Sequence, residues 1–387
     1  MHRRLFILVS TGSIGRSTIK LIEHLQNLDC AYNWNVVGFA AGRNSSLLRQ
    51  QIAALDVDAV SMEHSDGSID VKHFYEGSTG AVELIREHAK KGDLVIAAIV
   101  GFAGIAPTLA AIECGCDIAL ANKESLVAGG KLVMDAVKKH GVRLLPVDSE
   151  HSAIFQSIAG SHKREIAKVI LTASGGSLRD LSSEEMATAT LKQVLKHPTW
   201  KMGAKVTIDS ASLMNKALEL VEAHWLFDVK SHQLDAVIHP QSIVHGFVQF
   251  RDGSVIAQLS SPDMRLPIQY ALTWPDRFEG SSNAIDWSSI GSLDFNAVDP
   301  TLYPAIGLAH EVIKRGGTSG TIFNAANEIV VTAFLDQKLQ FGSMVGIVEE
   351  VLDQITIVDQ VDMATVIAAD KEARSLATEL VGTGILH

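Results

Sequence analysis

The first 150 residues carry a series of short apolar runs that do not alternate with polar residues: Leu5 to Val9, Val36 to Ala40, Leu94 to Val100, Ile118 to Leu120 and Leu144 to Val147. Stretches with helical spacing separate them. A strand with one wet face alternates, whereas a strand covered on both faces reads as one continuous apolar run. Strand and helix in regular succession therefore predict α/β architecture: a parallel, doubly wound sheet with helices on both sides. The texture changes between Leu234 and Leu259, where Asp252-Gly253 predicts a hairpin turn joining Ser242 to Phe250 and Ser254 to Leu259, so a second domain should have an antiparallel component. Pro275 to Pro300 is rich in Ser, Gly, Asn and Asp and reads as a linker. After it, Ile347, Val348, Val351, Leu352 and Ile355 recur at helical spacing, predicting a small C-terminal helical domain.

Composition narrows the partners. The 387 residues hold 33 Lys and Arg against 44 Asp and Glu, a formal net charge of −11 that repels a nucleic-acid backbone. Cys30, Cys114 and Cys116 are an odd number without metal-type spacing, which fits a reducing compartment, and Cys114 and Cys116 read as small apolar packing residues. Leu94 to Ile112 is 19 residues without a charge, long enough to span a bilayer on length alone. Gly101, Gly104 and Pro107 interrupt it, so it parses as a buried strand, a Gly-Phe-Ala-Gly turn and a helix with Pro107 in its first turn. No membrane span is expected. The N-terminal apolar run is too short for a secretion signal, which implies a cytoplasmic protein, or a plastid-type one if a leader was removed.

Ser10-Thr11-Gly12-Ser13-Ile14-Gly15 links the first strand to a helix, where a dinucleotide fold sets a pyrophosphate against free helix N–H groups. An ordinary Gly-rich turn would look the same. The second strand ends in Ala41-Gly42-Arg43-Asn44, and an Arg where an NAD-binding protein usually carries an acid favours the 2′-phosphate of NADP over a bare ribose. A solvated surface Arg is the alternative.

Val147-Asp148-Ser149-Glu150 closes the last run of the first domain. Residues i and i+2 of a strand share a face, so Asp148 and Glu150 should point the same way at the carboxyl edge of the sheet. Two carboxylates held together either share a proton or bind a hard cation such as Mg²⁺ or Mn²⁺. Ile208 to Glu219 reads as a strand end followed by a helix start, with Asn215, Lys216 and Glu219 close on one helix. Lys216 could pair with Glu219 at the surface. Yet Ser210, Asn215 and Lys216 near a helix N-terminus also suit a phosphate, and Ser174-Gly175-Gly176 after a strand Val169 to Thr172 offers a second such corner. Between the corners, Trp200 within His197-Pro198-Thr199-Trp200-Lys201-Met202-Gly203 is either a core anchor or part of a lid. His239 and His245 read as satisfied structural histidines rather than metal ligands.

Together these segments resemble the 1-deoxy-D-xylulose 5-phosphate reductoisomerase family over essentially the whole chain. The resemblance is carried by Ser10 to Gly15, Ala121-Asn122-Lys123-Glu124-Ser125-Leu126, Pro146 to His151, Ala173 to Gly176, His197 to Gly203, Asp209 to Glu219 and Ile238-His239-Pro240-Gln241-Ser242. It implies that Thr11, Gly12, Ser13, Ile14, Gly42, Arg43, Asn44, Asn122, Glu124 and Gly203 contact NADPH, with Met264 near the nicotinamide. It implies Asp148, Glu150 and Glu219 as ligands of Mg²⁺ or Mn²⁺, with Co²⁺ a further candidate. Lys123, Ser149, Ser174, His197, Ser210, Asn215 and Lys216 match the substrate-binding set, and Trp200 and Met202 match the lid. The catalytic set implied is Lys123, Asp148, Glu150 and Glu219.

The family's organisation would place a Rossmann-like NADPH-binding domain at 1–148 and a catalytic and dimerisation domain at 149–274 with its lid at about 176–203. A linker at 275–300 and a helical domain at 301–387 would follow. A homodimer is implied, with the second domain's sheet at the interface. The implied reaction is isomerisation and reduction of 1-deoxy-D-xylulose 5-phosphate to 2-C-methyl-D-erythritol 4-phosphate. A plain NADP-dependent dehydrogenase would not need three acids and a phosphate cradle, and a dinucleotide-sensing regulator would need neither lid nor metal. Three departures stand out: Val9 replaces a usual Gly, Ser177-Leu178 a Pro-Phe pair, and Ala217 a Gly. Val9 fits only if its backbone stays in the β region, so it is expected to extend the first strand at a cost of about 1 to 3 kcal/mol in cofactor binding.

Overall fold

The computed structural model describes residues 2–28, 32–200, 202–359 and 361–383, and Cys30 and Lys201 fall outside them. Two compact units emerge, one made of residues 1–125, 133–152 and 263–284, the other of 126–132, 153–262 and 285–387.

The first unit is built on seven strands: β1 (His2–Leu8), β2 (Asn33–Ala41), β3 (Ala59–Met62), β4 (His73–Glu76), β5 (Leu94–Ala97), β6 (Asp117–Leu120) and β7 (Leu144–Pro146). They form one sheet in the order β4-β3-β2-β1-β5-β6-β7, and every pairing is parallel. Leu5, Phe6, Ile7 and Leu8 are each at most 1% exposed, as consecutive residues of a strand covered on both faces must be. Strand order reverses between β1 and β5, so a crevice for a ligand opens at the carboxyl ends of those two strands. The uncharged stretch from Leu94 resolves into β5, a turn and the helix Ile105–Glu113, and no helix among the described residues is long and apolar enough to cross a membrane. Cys116 is fully buried and its thiol is pushed up to about 12 by that burial, as expected of an inert packing residue; Cys114 and Cys116 are both free.

Val9 does not extend β1. It sits just beyond the strand with φ 72°, in the left-handed region, where a β-branched side chain is a genuine outlier. Its N–H and that of Ser10 both donate to the Ala40 carbonyl at 2.9 Å, and its own carbonyl accepts from Gly12 N–H at 3.1 Å. These three bonds impose the turn that a glycine would take without strain.

The second unit has a five-stranded mixed sheet in the order β11-β10-β8-β9-β12, made of β8 (Ile166–Ala173), β9 (Leu234–Ile238), β10 (Val244–Phe250), β11 (Val255–Leu259) and β12 (Asn296–Ala297). The β10–β11 hairpin is antiparallel and turns at Gly253 (φ 89°), where Ser254 N–H donates to Asp252 Oδ1. The stretch read as a linker contributes β12, which pairs with β9. Beyond it lie the helices Ala305–Arg315, Ser319–Leu335, Met344–Gln354 and Met363–Gly382, and Ile347, Val348, Val351, Leu352 and Ile355 are all buried in the core as their spacing requires.

Residues 204–211 are not a strand end. Ala204–Ala211 is a helix with Gly203 at its N-cap, and after a turn with Leu213 at φ 56° the helix Met214–Phe227 begins. The β-branched run Val206-Thr207-Ile208 looks extended in isolation. Burial of Thr207, Ile208 and Ala211, at three- and four-residue spacing, selects the helix.

Candidate functional site

In the first unit the glycine turn follows β1 directly. Gly12 caps the helix Ser13–Asn27 in an extended conformation (φ −75°, ψ 176°), so it is needed for space rather than for a special dihedral. A Cβ at Gly12 would lie 2.8 Å from Val9 Cγ1, and one at Gly15 would lie 2.3 Å from the Val9 carbonyl oxygen. Gly15 thus lets the helix close on the strand, while Thr11, Ser13 and Ile14 line the helix start. At the end of β2, Gly42 has open space where a Cβ would be, Arg43 is exposed, and Asn44 Oδ1 accepts from Leu47 N–H at 3.1 Å. Asn44 is therefore the N-cap of the helix Ser45–Leu55, a role its position before Ser45 already hinted at.

Asn122 and Glu124 stand at the carboxyl end of β6 and are nearly fully buried. Asn122 Nδ2 donates to Glu124 Oε2 at 2.9 Å and to the Gly101 carbonyl at 3.2 Å, and its Oδ1 accepts from Ser125 N–H at 2.9 Å. These bonds fasten the loop after β5, whose Val100 is 65% exposed. That loop lies beside the reversal point of the sheet, yet in the sequence it reads only as a turn; the Gly101-to-Gly104 spacing directly after a strand was the available signal. Met264 is the N-cap of the helix Arg265–Thr273 of this unit.

Asp148 and Glu150 come together for a reason other than strand alternation. β7 ends at Pro146, and Glu150 lies in the first turn of the helix Ser149–Ser157, so the two acids flank a strand-to-helix junction. Their nearest carboxylate oxygens lie within 4.8 Å of each other. Glu150 N–H donates to Asp148 Oδ1 at 3.4 Å, Ser149 Oγ donates to Glu150 Oε2, and Lys123 Nζ lies 2.8 Å from Asp148 Oδ2. Two half-buried carboxylates with an ammonium beside them make a polar, oxygen-rich point suited to a hard cation.

The second unit holds the phosphate corners. Gly175 and Gly176 have φ 84° and 71°, and a Cβ on Gly176 would lie 2.5 Å from the Ser210 carbonyl oxygen. The Ser174-Gly175-Gly176 turn is therefore seated directly on the last turn of the helix Ala204–Ala211, and both corners form one place. Ser174 Oγ is 3.0 Å from His197 Nε2 and accepts from Gly176 N–H at 3.2 Å. At the start of the next helix, Lys216 Nζ and Asn215 Nδ2 both donate to the Glu219 carboxylate, and Lys216 and Glu219 are buried. The pair exists, but in the interior rather than on the surface. A buried ion pair is a poor source of stability, because desolvation offsets its attraction, which leaves chemistry as the better reason for it.

Of residues 176–203, much is ordered packing: Ser183–Ala187 and Leu191–Val194 are short capped helices, and Met186, Ala189 and Val194 belong to the core. Trp200 is half-buried outside that core, its ring 6.3 Å from His245. Met202 is likewise half-buried and Gly203 exposed. The two departures at the start of the segment are accommodated, since Ser177 Oγ donates to the Val194 carbonyl at 2.7 Å and Leu178 is buried in the core. Ala217 too is fully buried among apolar neighbours. His239 is structural: it pairs with the Asp294 carbonyl at 2.8 Å, accepts from Ile243 N–H at 3.1 Å and stacks on Phe295. His245 Nε2 lies 3.3 Å from the Ser260 carbonyl.

Comparison with known proteins covers the same ground. Family models described as 1-deoxy-D-xylulose 5-phosphate reductoisomerase, its C-terminal domain, and DXP reductoisomerase C-terminal domain match residues 5–130, 144–227 and 259–376. The chain is 46% identical over 388 residues to a protein of that name from Pelodictyon phaeoclathratiforme, covering 98% of this chain and 100% of the relative. It is 43% identical to one from Pelotomaculum thermopropionicum, covering 98% of each. Among solved structures it is similar to the Zymomonas mobilis reductoisomerase in complex with NADPH (TM-score 0.90, 40% identity, all of both chains). It is also similar to a DOX-P reductoisomerase in complex with NADPH, fosmidomycin and magnesium (TM-score 0.91, 36% identity, 98% of both chains).

Proposed function

The chain belongs to the 1-deoxy-D-xylulose 5-phosphate reductoisomerase family, and on that premise we propose that Asp148, Glu150 and Glu219 hold its divalent cation and that the Ser174–Ser210 corner holds its substrate's phosphate. The enzyme uses NADPH and a divalent metal to isomerise and reduce 1-deoxy-D-xylulose 5-phosphate to 2-C-methyl-D-erythritol 4-phosphate. The observation that carries this reading is near-full-length similarity to reductoisomerases solved with NADPH and with magnesium.

The donor set fits the metal. Three carboxylates offer hard oxygen ligands, the kind that Mg²⁺ and Mn²⁺ take. The cofactor turn also fits, since Gly12 and Gly15 leave room at a helix start where side chains would intrude. When bound, the metal supplies Lewis-acid polarisation of the substrate's carbonyl and neighbouring hydroxyl oxygens, and NADPH supplies the hydride that reduces the rearranged aldehyde.

The protein's own residues do the rest. Ser174, Ser210, Asn215 and Lys216 hold the phosphate, with His197 against Ser174. Lys123 sits on Asp148 and Ser149 on Glu150, so both acids are fixed in place before substrate arrives. Arg43 receives the 2′-phosphate of NADPH, and Asn122 and Glu124 shape the floor of the cofactor site. Trp200 and Met202 close over the substrate and exclude water. The protein works as a homodimer, a reading supported by the outer edge strand β11, where Val255 and Ile256 are 54% and 46% exposed. The free thiols support a reducing, cytoplasmic location.

The metal assignment is tested by Mn²⁺ binding. Glu219→Gln should weaken Mn²⁺ binding and turnover roughly a hundredfold or more, because it removes a charged ligand, while the NADPH dissociation constant stays within about twofold. Mn²⁺ binding of ordinary strength in this variant would remove Glu219 from the site.

A further inference from the structure

His197 is held in one tautomer by its neighbours. Its Nδ1 accepts from Trp200 N–H at 2.9 Å and Thr199 N–H at 3.2 Å, so Nδ1 must carry a lone pair and the ring proton must sit on Nε2. That Nε2–H then donates to Ser174 Oγ at 3.0 Å. A serine oxygen has two lone pairs, and Gly176 N–H at 3.2 Å takes the other. Both acceptor sites of Ser174 are thus occupied from within the protein, and its hydroxyl proton is the part left to meet a ligand.

Arg179 stands behind this arrangement. Its Nη1 donates to the Ser174 carbonyl at 3.0 Å, and its stem packs on the turn, for a Cβ at Gly175 would lie 2.9 Å from Arg179 Cβ. The guanidinium is only loosely engaged elsewhere, 3.6 Å from the exposed Asp180. It is also the charged group that bears on His197; the ring's other neighbours are the Ser174 hydroxyl, the backbone at 199–200 and, beyond Trp200, His245 on β10. Burial, and then Arg179, hold the imidazole below its ordinary value of 6.5.

The geometry points to Arg179 as a positioning residue for the phosphate corner: its guanidinium, bonded to the Ser174 carbonyl, fixes the Ser174 turn against His197, so that the Ser174 hydroxyl is left as a donor to a phosphate oxygen. This rests on the reading of that corner as the phosphate site. Protonated His197 would present an N–H to two N–H donors, break both bonds to Thr199 and Trp200, and loosen the segment that carries the tryptophan. Since the folded form favours the neutral ring, the arrangement is intact above the ordinary imidazole value and is lost as pH falls through the lowered one.

The experiment compares wild type with Arg179→Gln and Arg179→Lys. It measures kcat and KM for 1-deoxy-D-xylulose 5-phosphate between about pH 5.5 and 8, inhibition by inorganic phosphate, and the His197 titration by NMR. Removing the charge should raise the His197 midpoint, move the acid-side rise in KM to higher pH, and raise KM at neutral pH roughly tenfold with kcat nearly unchanged. Arg179→Lys should return the midpoint towards wild type, which a merely structural arginine would not do. An unmoved His197 midpoint with an unmoved KM in Arg179→Gln would overturn the inference. If inorganic phosphate does not compete in the wild type, and Ser174→Ala and Ser210→Ala leave KM unchanged, it is the phosphate assignment of the corner that fails.

Discussion

Val9 gives the sharpest test, because its backbone makes the order of two substitutions diagnostic. In a left-handed conformation an L-residue costs about 1 to 2 kcal/mol, and strained positions of this kind range to about 3. Val9→Gly removes that cost but gains the larger unfolded-state freedom of glycine, about 0.5 to 1 kcal/mol. Val9→Ala keeps most of the backbone cost. Both lose a partly buried isopropyl group, roughly 1 kcal/mol, so that loss largely cancels between them. At φ 72° the Gly variant should therefore be more stable than the Ala variant by about 0.5 to 1 kcal/mol, or roughly 1 °C in melting temperature for a chain of this length. In an extended strand the order reverses, with Ala ahead by about 0.5 to 1 kcal/mol. The same Val9→Gly change takes away the isopropyl group beside Gly12 and frees the turn beneath the cofactor, and NADPH binding should tighten by about 1 to 3 kcal/mol, roughly 5- to 150-fold. Thermal melts and an NADPH titration of the three proteins decide it. An Ala variant more stable than the Gly variant would show that residue 9 is extended and that the strain does not exist.

Two further outcomes are expected. Arg43→Ala should narrow the preference for NADPH over NADH roughly ten- to hundredfold, the loss of one charge-assisted contact of about 1.5 to 3 kcal/mol, measured as the ratio of kcat/KM for the two cofactors; an unchanged ratio would make Arg43 a solvated surface charge. Ile256→Lys on the exposed outer edge strand should shift the protein from dimer towards monomer in light scattering, and a dimer of unaltered stability would move the interface elsewhere.

The parallel sheet was legible because Leu5 to Leu8 and Leu94 to Ala97 are buried on both faces, and burial of that kind writes itself as an unbroken apolar run. β3 and β4 were not. Ala59–Met62 is only four residues, and His73–Glu76 is an edge strand with partly exposed side chains, so neither carries such a run. The strand end expected at Ile208 is the last turn of the helix Ala204–Ala211, because the core contacts that select the helix lie far along the chain. Asp148 and Glu150 lie near one another, but not by the strand alternation their spacing suggests: Pro146 ends the strand, and a helix turn rather than a pleat sets Glu150. Val9 was placed by its propensity, which three backbone hydrogen bonds override. The Ser174 and Ser210 corners could be named separately in the sequence, but not that one rests on the other, because that depends on the missing Cβ of Gly176. The two N–H donors on His197, which settle its tautomer, leave no mark in composition or spacing.

The reaction itself can be followed directly. Purified protein should be mixed with NADPH, Mg²⁺ or Mn²⁺ and 1-deoxy-D-xylulose 5-phosphate, with nicotinamide absorbance followed and the product identified by NMR. Oxidation of NADPH in step with formation of the branched 2-C-methyl-D-erythritol 4-phosphate, abolished by a chelator and restored by added metal, is the expected result. Oxidation of NADPH with an unbranched product, or none at all with folded protein and bound cofactor, would contradict it.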